Sequence, residues 1–140
     1  MKRLLLLAAL FSAPALAQDT RLLAPLPPAA QETLRKEMVD NLLALNEIIS
    51  LLASNKVREA GDVAEQRLGQ TAMGRNAALP YDARPGPQMP IEMLGLGRDG
   101  HAAASEFARA AATGDLTKAM TALPRLTGTC VACHALYRTR

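Results

Sequence analysis

The two cysteines of the chain lie three residues apart near its C-terminus and are followed directly by a histidine, as Cys130-Val131-Ala132-Cys133-His134. Cys-x-x-Cys-His is the attachment signature of c-type haem. Residues three and four apart share one face of a helix. Cys130 and Cys133 can therefore each form a thioether to one vinyl group of the same porphyrin, while His134 reaches the iron from that face. The spacing predicts one covalently bound haem c, with His134 as the proximal iron ligand.

Three other uses of two cysteines at this spacing are weaker interpretations. A disulfide between Cys130 and Cys133 would close almost no loop and would stabilise the fold little. A thioredoxin-like redox pair belongs in a βαβ setting, whereas the pattern of this chain is helical. Zinc needs four ligands, and only this one triplet is concentrated. The alternative that stays open is an exported helical bundle with a Cys130–Cys133 disulfide and no haem.

The N-terminus has the features of a secretory signal peptide. A basic start, Lys2-Arg3, precedes an apolar run from Leu4 to Leu10 and a small-x-small ending, Ala15-Leu16-Ala17. The run is too short to span a bilayer comfortably, so we expect export to the periplasm with cleavage of residues 1–17 after Ala17. No other segment approaches transmembrane length, and we expect the mature protein to have no membrane span.

The charge of the mature chain is close to neutral. The whole chain has 16 Lys and Arg against 13 Asp and Glu, a net charge of +3, and removal of Lys2 and Arg3 leaves 14 against 13, or +1. The basic residues form no stripe, and aromatic residues make up only 3% of the chain. Nucleic acid is therefore not an expected partner.

Composition and apolar periodicity predict an all-α fold, because Ala and Leu dominate and strand-forming aromatic residues are scarce. After a flexible or extended Pro-rich leader at 18–28, helices are expected from 29 to about 54, from about 56 to 73, from about 89 to 113, and from 116 onwards. The expected architecture is an antiparallel four-helix bundle with a long loop, 74–88, between helices 2 and 3, forming one haem-binding domain at 29–140.

Details of three helices follow from single residues. The apolar face of the first helix is expected at spacings of three and four, in Leu34, Met38, Leu42, Leu45, Ile49 and Leu52, and Ile48 and Leu51 widen it. Gly61 is a weak point of the second helix. In the fourth helix, Asp115 is the expected N-cap, and Pro124 should kink the helix or open a turn.

The chain resembles the class II c-type cytochromes, the cytochrome c′ family. The resemblance is best in the last helix, at Thr129-Cys130-Val131-Ala132-Cys133-His134-Ala135-Leu136-Tyr137-Arg138, and the first helix, 35–55, can be laid on the first helix of the family without gaps. It implies that Arg138, four residues after His134, sits beside the haem and contacts a propionate or tunes the potential. It also implies that a first-helix residue, Met38, faces the sixth coordination position of the iron.

The residue at the sixth position decides between two functions. A thioether ligand from Met38 opposite His134 raises the potential and implies an electron carrier. An open sixth position implies a five-coordinate protein that binds or scavenges small gases such as nitric oxide. His101, the other histidine, is a rival ligand, and the alternative interpretation of Met38 is a methionine that only packs in the core. Four further methionines are weaker candidates for contact with the haem: Met73, Met89, Met93 and Met120.

The function expected from the sequence is periplasmic electron transfer through one covalent haem, with the iron cycling between Fe(II) and Fe(III). Redox proteins are the expected partners, and the family resemblance implies a possible homodimer. No paired carboxylates, Ser/His/Asp set or second metal cluster stands out, so the sequence does not indicate an enzyme.

Overall fold

The structure is a computed structural model, and it describes residues 18–140, which are mostly helical. The predicted signal peptide, residues 1–17, lies outside the described residues. Five helices follow one another along the chain: α1 at Pro28–Ala53, α2 at Val57–Leu68, the one-turn α3 at Pro85–Gln88, α4 at Ile91–Ala111 and α5 at Leu116–Leu136. Two two-residue strands, β1 at Leu22–Leu23 and β2 at Tyr137–Arg138, stand at the two ends of this series. Within 18–140, no helix is both long and apolar enough to cross a membrane.

Each long helix packs mainly against the long helix that follows it in sequence. This helical packing confirms the all-α class. α1 packs against α2, α2 against α4, and α4 against α5, whereas α1 and α5 have little or no close backbone contact in the described part of the chain. Residues 69–90 connect α2 to α4 and contain the 3-10 turns Gln70–Ala72 and Tyr81–Ala83 besides α3. The second helix is therefore shorter than predicted, because it ends at Leu68.

Two single-residue predictions in the last helix have clear outcomes. Asp115 is the N-cap of α5, since its side chain accepts a hydrogen bond of 3.1 Å from the backbone N–H of Lys118. Pro124 does not open a turn, because α5 continues through it to Leu136. Pro124 lies on the exposed side of the helix, where water can satisfy the carbonyl oxygen that has lost its usual donor.

The buried core is divided into two clusters. The main cluster gathers residues from four helices, and its two largest fully buried side chains are Phe107 and Ile48. The second cluster consists of Ala24, Leu26, Ala30, Leu34 and Met93, with Met38, Met89 and Tyr137 packed against it. The predicted apolar face of α1 is wrong at two positions, since Leu42 is 66% and Ile49 is 48% exposed, while Ala44 and Ile48 are buried. On the face of α1 that points to the protein interior, small alanines are buried because neighbouring helices approach α1 closely there.

Residues 18–26, which we call the N-terminal strap, are extended and are held against the C-terminus. β1 pairs with β2 in parallel, with Leu22 opposite Tyr137, and the backbone N–H of Ala24 donates to the carbonyl oxygen of Arg138 at 2.7 Å. The side chain of Arg138 donates to the carbonyl oxygen of Arg21 at 3.2 Å. These contacts bring the beginning of α1 and the end of α5 to the same end of the molecule.

Substitution of Gly61 tests whether α2 and α4 must approach each other closely at this position. A Cβ atom at Gly61 would lie 2.9 Å from the Cβ of Ala111 and 3.1 Å from the carbonyl oxygen of Ala108. We expect Gly61→Ala to lower the free energy of unfolding by about 1–2 kcal/mol in urea denaturation, although alanine is the better helix former. Gly95→Ala on α4 is the control, because a Cβ atom there meets nothing within 4 Å. A gain in stability at both positions would contradict the close approach.

Asp19 makes the stability of the strap dependent on pH, with a loss of stability in acid. Hydrogen bonds from Arg21, at 2.8 and 3.0 Å, lower the pKa of Asp19 to about 2. A carboxyl whose pKa is lower in the folded than in the unfolded state stabilises above its unfolded value, and this contribution is lost as the pH falls toward 2. We expect the unfolding free energy of Asp19→Asn to fall less steeply than that of the native chain between pH 4 and pH 2. Parallel pH profiles of the two proteins would exclude this role.

Candidate functional site

The Cys-x-x-Cys-His segment occupies the last two turns of α5, as the spacing predicted. Cys130 and Cys133 follow the buried Leu126 by four and seven residues, so the three share one face of the helix, and Tyr137 follows directly after the helix ends. Leu126 belongs to the main cluster, and Tyr137 packs against the second cluster. The two thiols therefore lie at the level where one core cluster ends and the other begins. Both are free, with Cys130 exposed and Cys133 half-buried, and His134 is exposed.

Small residues of α4 lie beside this segment. Gly100 packs against Thr129, because a Cβ atom at Gly100 would lie 3.5 Å from the Thr129 hydroxyl oxygen. One turn earlier, Gly97 stands four residues after the buried Met93 and seven before the buried Ala104, on the same face of α4. A Cβ atom at Gly97 would meet nothing within 4 Å. Gly97 is exposed, so α4 presents no side chain at this point of its surface, one turn before the contact of Gly100 with Thr129.

Asn41 and Met38 are the corresponding residues of α1. Asn41 lies seven residues after Leu34 of the second cluster and seven before Ile48 of the main cluster, so it faces inward between the two. Met38 lies one turn nearer the N-terminus and packs against the second cluster. We call Asn41, Gly97, Gly100, Cys130 and Cys133 the intermediate layer. It contains small and polar residues instead of the large aliphatic side chains above and below it.

Exposed apolar residues of α1 and α5 border the side on which these two helices have little contact. On α5, Leu116, Met120 and Leu123 lie at helical spacing from Cys130, and the first two are 38% and 49% exposed. On α1, Leu42 and Ile49 follow Met38 at spacings of four and eleven. Met38 packs against the second cluster, and His134 is exposed in the last turn of α5, next to the pairing of β2 with the strap.

Arg138 does not lie one helical turn beyond His134, and that premise of its predicted position is wrong. α5 ends at Leu136, and pairing with β1 takes Tyr137 and Arg138 into extended backbone. The guanidinium of Arg138 is instead engaged by the strap, at 3.2 Å from the Arg21 carbonyl oxygen and 3.8 Å from the carboxylate of Asp19. The strap also reaches the motif itself, since Arg21 donates to the carbonyl oxygen of His134 at 3.4 Å.

His101 is turned away from the motif. Its Nδ1 lies 2.7 Å from the carbonyl oxygen of Leu68 and 3.0 Å from that of Gly69, at the end of α2. Gly100, the preceding residue, faces Thr129 of α5. Successive helical residues are turned by about 100°, so the ring of His101 faces α2 while Gly100 faces α5. The structure does not bring His101 together with Cys130, Cys133 and His134.

Three methionines gather at the second cluster, which sequence reasoning did not foresee. Met93 is buried in the cluster, and Met89 and Met38 are partly buried against it together with Tyr137. Met89 and Met93 were considered only for their spacing on one helix, because no sequence signal places them beside Met38. Met73 is 50% exposed in the connection between α2 and α4. The three thioether groups thus come from α1, from α4 and from the residue that follows α3.

The structure also contains depressions that do not involve the motif. One of about 540 Å³ is lined by residues that include Arg67, Met73 and Arg75, and one of about 390 Å³ by residues that include Arg35 and Arg140. Neither is lined by Cys130, Cys133 or His134. Within residues 18–140, no group of three or more His, Cys, Asp or Glu side chains is placed to hold a bare metal ion. A haem iron does not need such a group, because the porphyrin supplies four of its ligands.

The residues present fit a covalently held haem. Two free thiols and an imidazole lie within the last two turns of one helix, Gly100 of α4 packs without a side chain against Thr129 beside them, and thioether groups lie at the second cluster, against which Tyr137 packs. Asn41 Oδ1 is buried in this layer without a hydrogen-bond partner. Comparison with protein-family models, with curated proteins and with solved structures found no match to this chain.

The two thiols should differ in reactivity in the chain without haem. Burial raises the pKa of the Cys133 thiol, and the neighbouring Cys130 adds to this effect. Since the thiolate is the reactive form, and since Cys130 is the more exposed, we expect iodoacetamide at pH 7.5 to modify Cys130 several times faster than Cys133. Peptide mapping by mass spectrometry after short reaction times measures both rates. Urea-unfolded chain is the control, in which the two rates should converge; equal rates in the folded chain would contradict the prediction.

Proposed function

We propose that this protein is a periplasmic electron carrier with one covalently attached c-type haem, similar to the class II cytochromes of the cytochrome c′ family. The observation that carries the proposal is the place of the Cys-x-x-Cys-His segment. Its two free thiols lie on the face of α5 that continues Leu126, at the level between the two core clusters. A large flat apolar group held there would join the two clusters into one core.

Cys130 and Cys133 are the proposed anchors. Each thiol adds across one vinyl group, so its sulfur bonds to one vinyl carbon while the other carbon gains a hydrogen atom. His134 binds the iron through a ring nitrogen, one position after Cys133 on the same turn. The haem supplies the one-electron exchange between Fe(III) and Fe(II). The chain holds it by two bonds, fixes its orientation and surrounds it with apolar side chains.

Met38 is the proposed sixth ligand. Its packing against the second cluster, against which Tyr137 at the end of α5 also packs, supports this role. A methionine opposite a histidine raises the reduction potential, which suits a carrier that accepts and passes on single electrons. A filled sixth position also keeps other ligands from the iron.

We also infer that the four long helices form an antiparallel bundle. The packing of α1 on α2, α2 on α4 and α4 on α5 supports this arrangement, as does the strap that ties the start of α1 to the end of α5. Residues 69–90 are then the long connection between the second and third long helices.

The visible spectrum of the mature protein, produced with a haem-attachment system, tests the function. We expect a reduced spectrum with sharp α and β bands that carbon monoxide does not change. Met38→Ala should give a high-spin spectrum that shifts when carbon monoxide is added, because the sixth position is then open to exogenous ligands. Met73→Ala is the matched control, since Met73 lies outside the site. Its spectrum should remain that of the native protein.

Two results would replace this function. A native protein whose high-spin spectrum shifts with carbon monoxide has an open sixth position, and gas binding or scavenging then becomes the function. A correctly exported protein with no Soret band has no haem, and a Cys130–Cys133 disulfide would then be sought by mass spectrometry. If Met38→Ala keeps the native spectrum, Met89→Ala and Met93→Ala identify the ligand, since these thioethers belong to the same cluster.

A further inference from the structure

Asn41 has a buried polar atom without a partner. Among the described residues, its Oδ1 is the one buried side-chain oxygen or nitrogen that makes no hydrogen bond. Leaving a buried amide oxygen unsatisfied costs free energy, so such a group calls for a physical explanation. A leucine of similar size would fill the same position on this face of α1 without that cost.

The position of Asn41 relates it to the proposed haem site. It lies three residues after Met38, so it is a near neighbour of Met38 on the surface of α1. It faces the intermediate layer, as its spacing of seven from both Leu34 and Ile48 requires. The amide of Asn41 therefore lies on α1 beside Met38, at the level between the two core clusters.

An asparagine side chain can offer either end of its amide to a neighbour. Rotation of the amide by 180° exchanges the carbonyl oxygen for the NH2 group in nearly the same place. Against an electron-rich atom, such as a thioether sulfur or an anion, the NH2 end is the favoured one. In an apolar layer this hydrogen bond is stronger than it is in water.

We propose that Asn41 is a positioning residue of the distal side, whose amide N–H donates to the atom in the sixth coordination position of the iron. This inference rests on the proposed function, because it needs the haem. It assigns Asn41 to two tasks. With a thioether in that position, the hydrogen bond draws electron density from the sulfur and favours Fe(II). With an exogenous anion there, it holds the anion.

Cyanide binding tests the proposal without relying on electron transfer. In the Met38→Ala protein with oxidised haem, the nitrogen of iron-bound cyanide is a hydrogen-bond acceptor on the distal side. We expect Met38→Ala/Asn41→Leu to bind cyanide about tenfold more weakly than Met38→Ala alone, which is the effect of one lost hydrogen bond. Met38→Ala/Asn46→Leu is the matched control, because Asn46 is an exposed asparagine on the same helix. Its cyanide affinity should equal that of Met38→Ala.

A second measurement separates this role from a purely structural one. In a Cys130→Ser/Cys133→Ser chain, which cannot attach haem, Asn41→Leu should raise stability because it removes the unsatisfied amide. In the haem protein, Asn41→Leu should lower the reduction potential of the otherwise native protein. An unchanged cyanide affinity and an unchanged potential, with the Soret band intact, would overturn the role of Asn41 alone. Absence of the Soret band from every variant would overturn the proposed function and this inference together.

Discussion

The packing of the helices depends on two separate clusters of buried side chains, between which the sequences of α1, α4 and α5 place small and polar residues. The helices bury large side chains at two levels, around Phe107 and Ile48 in the main cluster and around Leu34 and Met93 in the second. Close-packed interiors do not tolerate a loose layer between two such levels without a loss of stability. In this chain the layer consists of small and polar side chains, and the two thiols are among them. The proposed haem explains both features at once, because a covalently held flat group needs thiols as anchors and small neighbours as space.

The pairing of β1 with β2 determines which residues of α1 lie at the same level as residues of α5. α1 and α5 have little direct contact with each other, so helix packing alone does not set their relative position along the helix axes. The strap contributes to it, because β1 precedes α1 by only four residues and its partner β2 follows directly from α5. Arg21 and Arg138 strengthen this connection through Asp19, and Arg35 adds a hydrogen bond of 3.2 Å to the carbonyl oxygen of Thr139. The position of Met38 relative to His134 is thus a consequence of contacts made outside the helical core.

Sequence reasoning worked where a physical signal is local. The Cys-x-x-Cys-His spacing, the capping side chain of Asp115 and the helical periodicity each involve residues within one or two turns, and the structure has all of them on helices. It failed where the signal is not local. The two-residue parallel pairing of β1 with β2 has no periodicity that a sequence pattern could reveal. The apolar periodicity of α1 predicted that Leu42 is buried, because periodicity reflects the size and polarity of side chains and not how closely a neighbouring helix approaches. Asn41 was missed for the same reason, since a single polar residue in an apolar helix face gives no pattern.

The two sides of the proposed haem differ in how firmly the chain specifies them. Cys130, Cys133 and His134 lie on two turns of one continuous helix, so their relative positions are set by the geometry of α5 itself. The distal side comes from α1, whose placement depends on the strap and on the second cluster. It contains a methionine and an asparagine, whose side chains have several rotatable bonds. Under the proposed function, substitutions on α1 would therefore change what binds the iron without disturbing the attachment. A distal side that is independent of the anchors would allow one helical scaffold to serve as an electron carrier when a thioether fills the sixth position, or as a gas-binding protein when it does not.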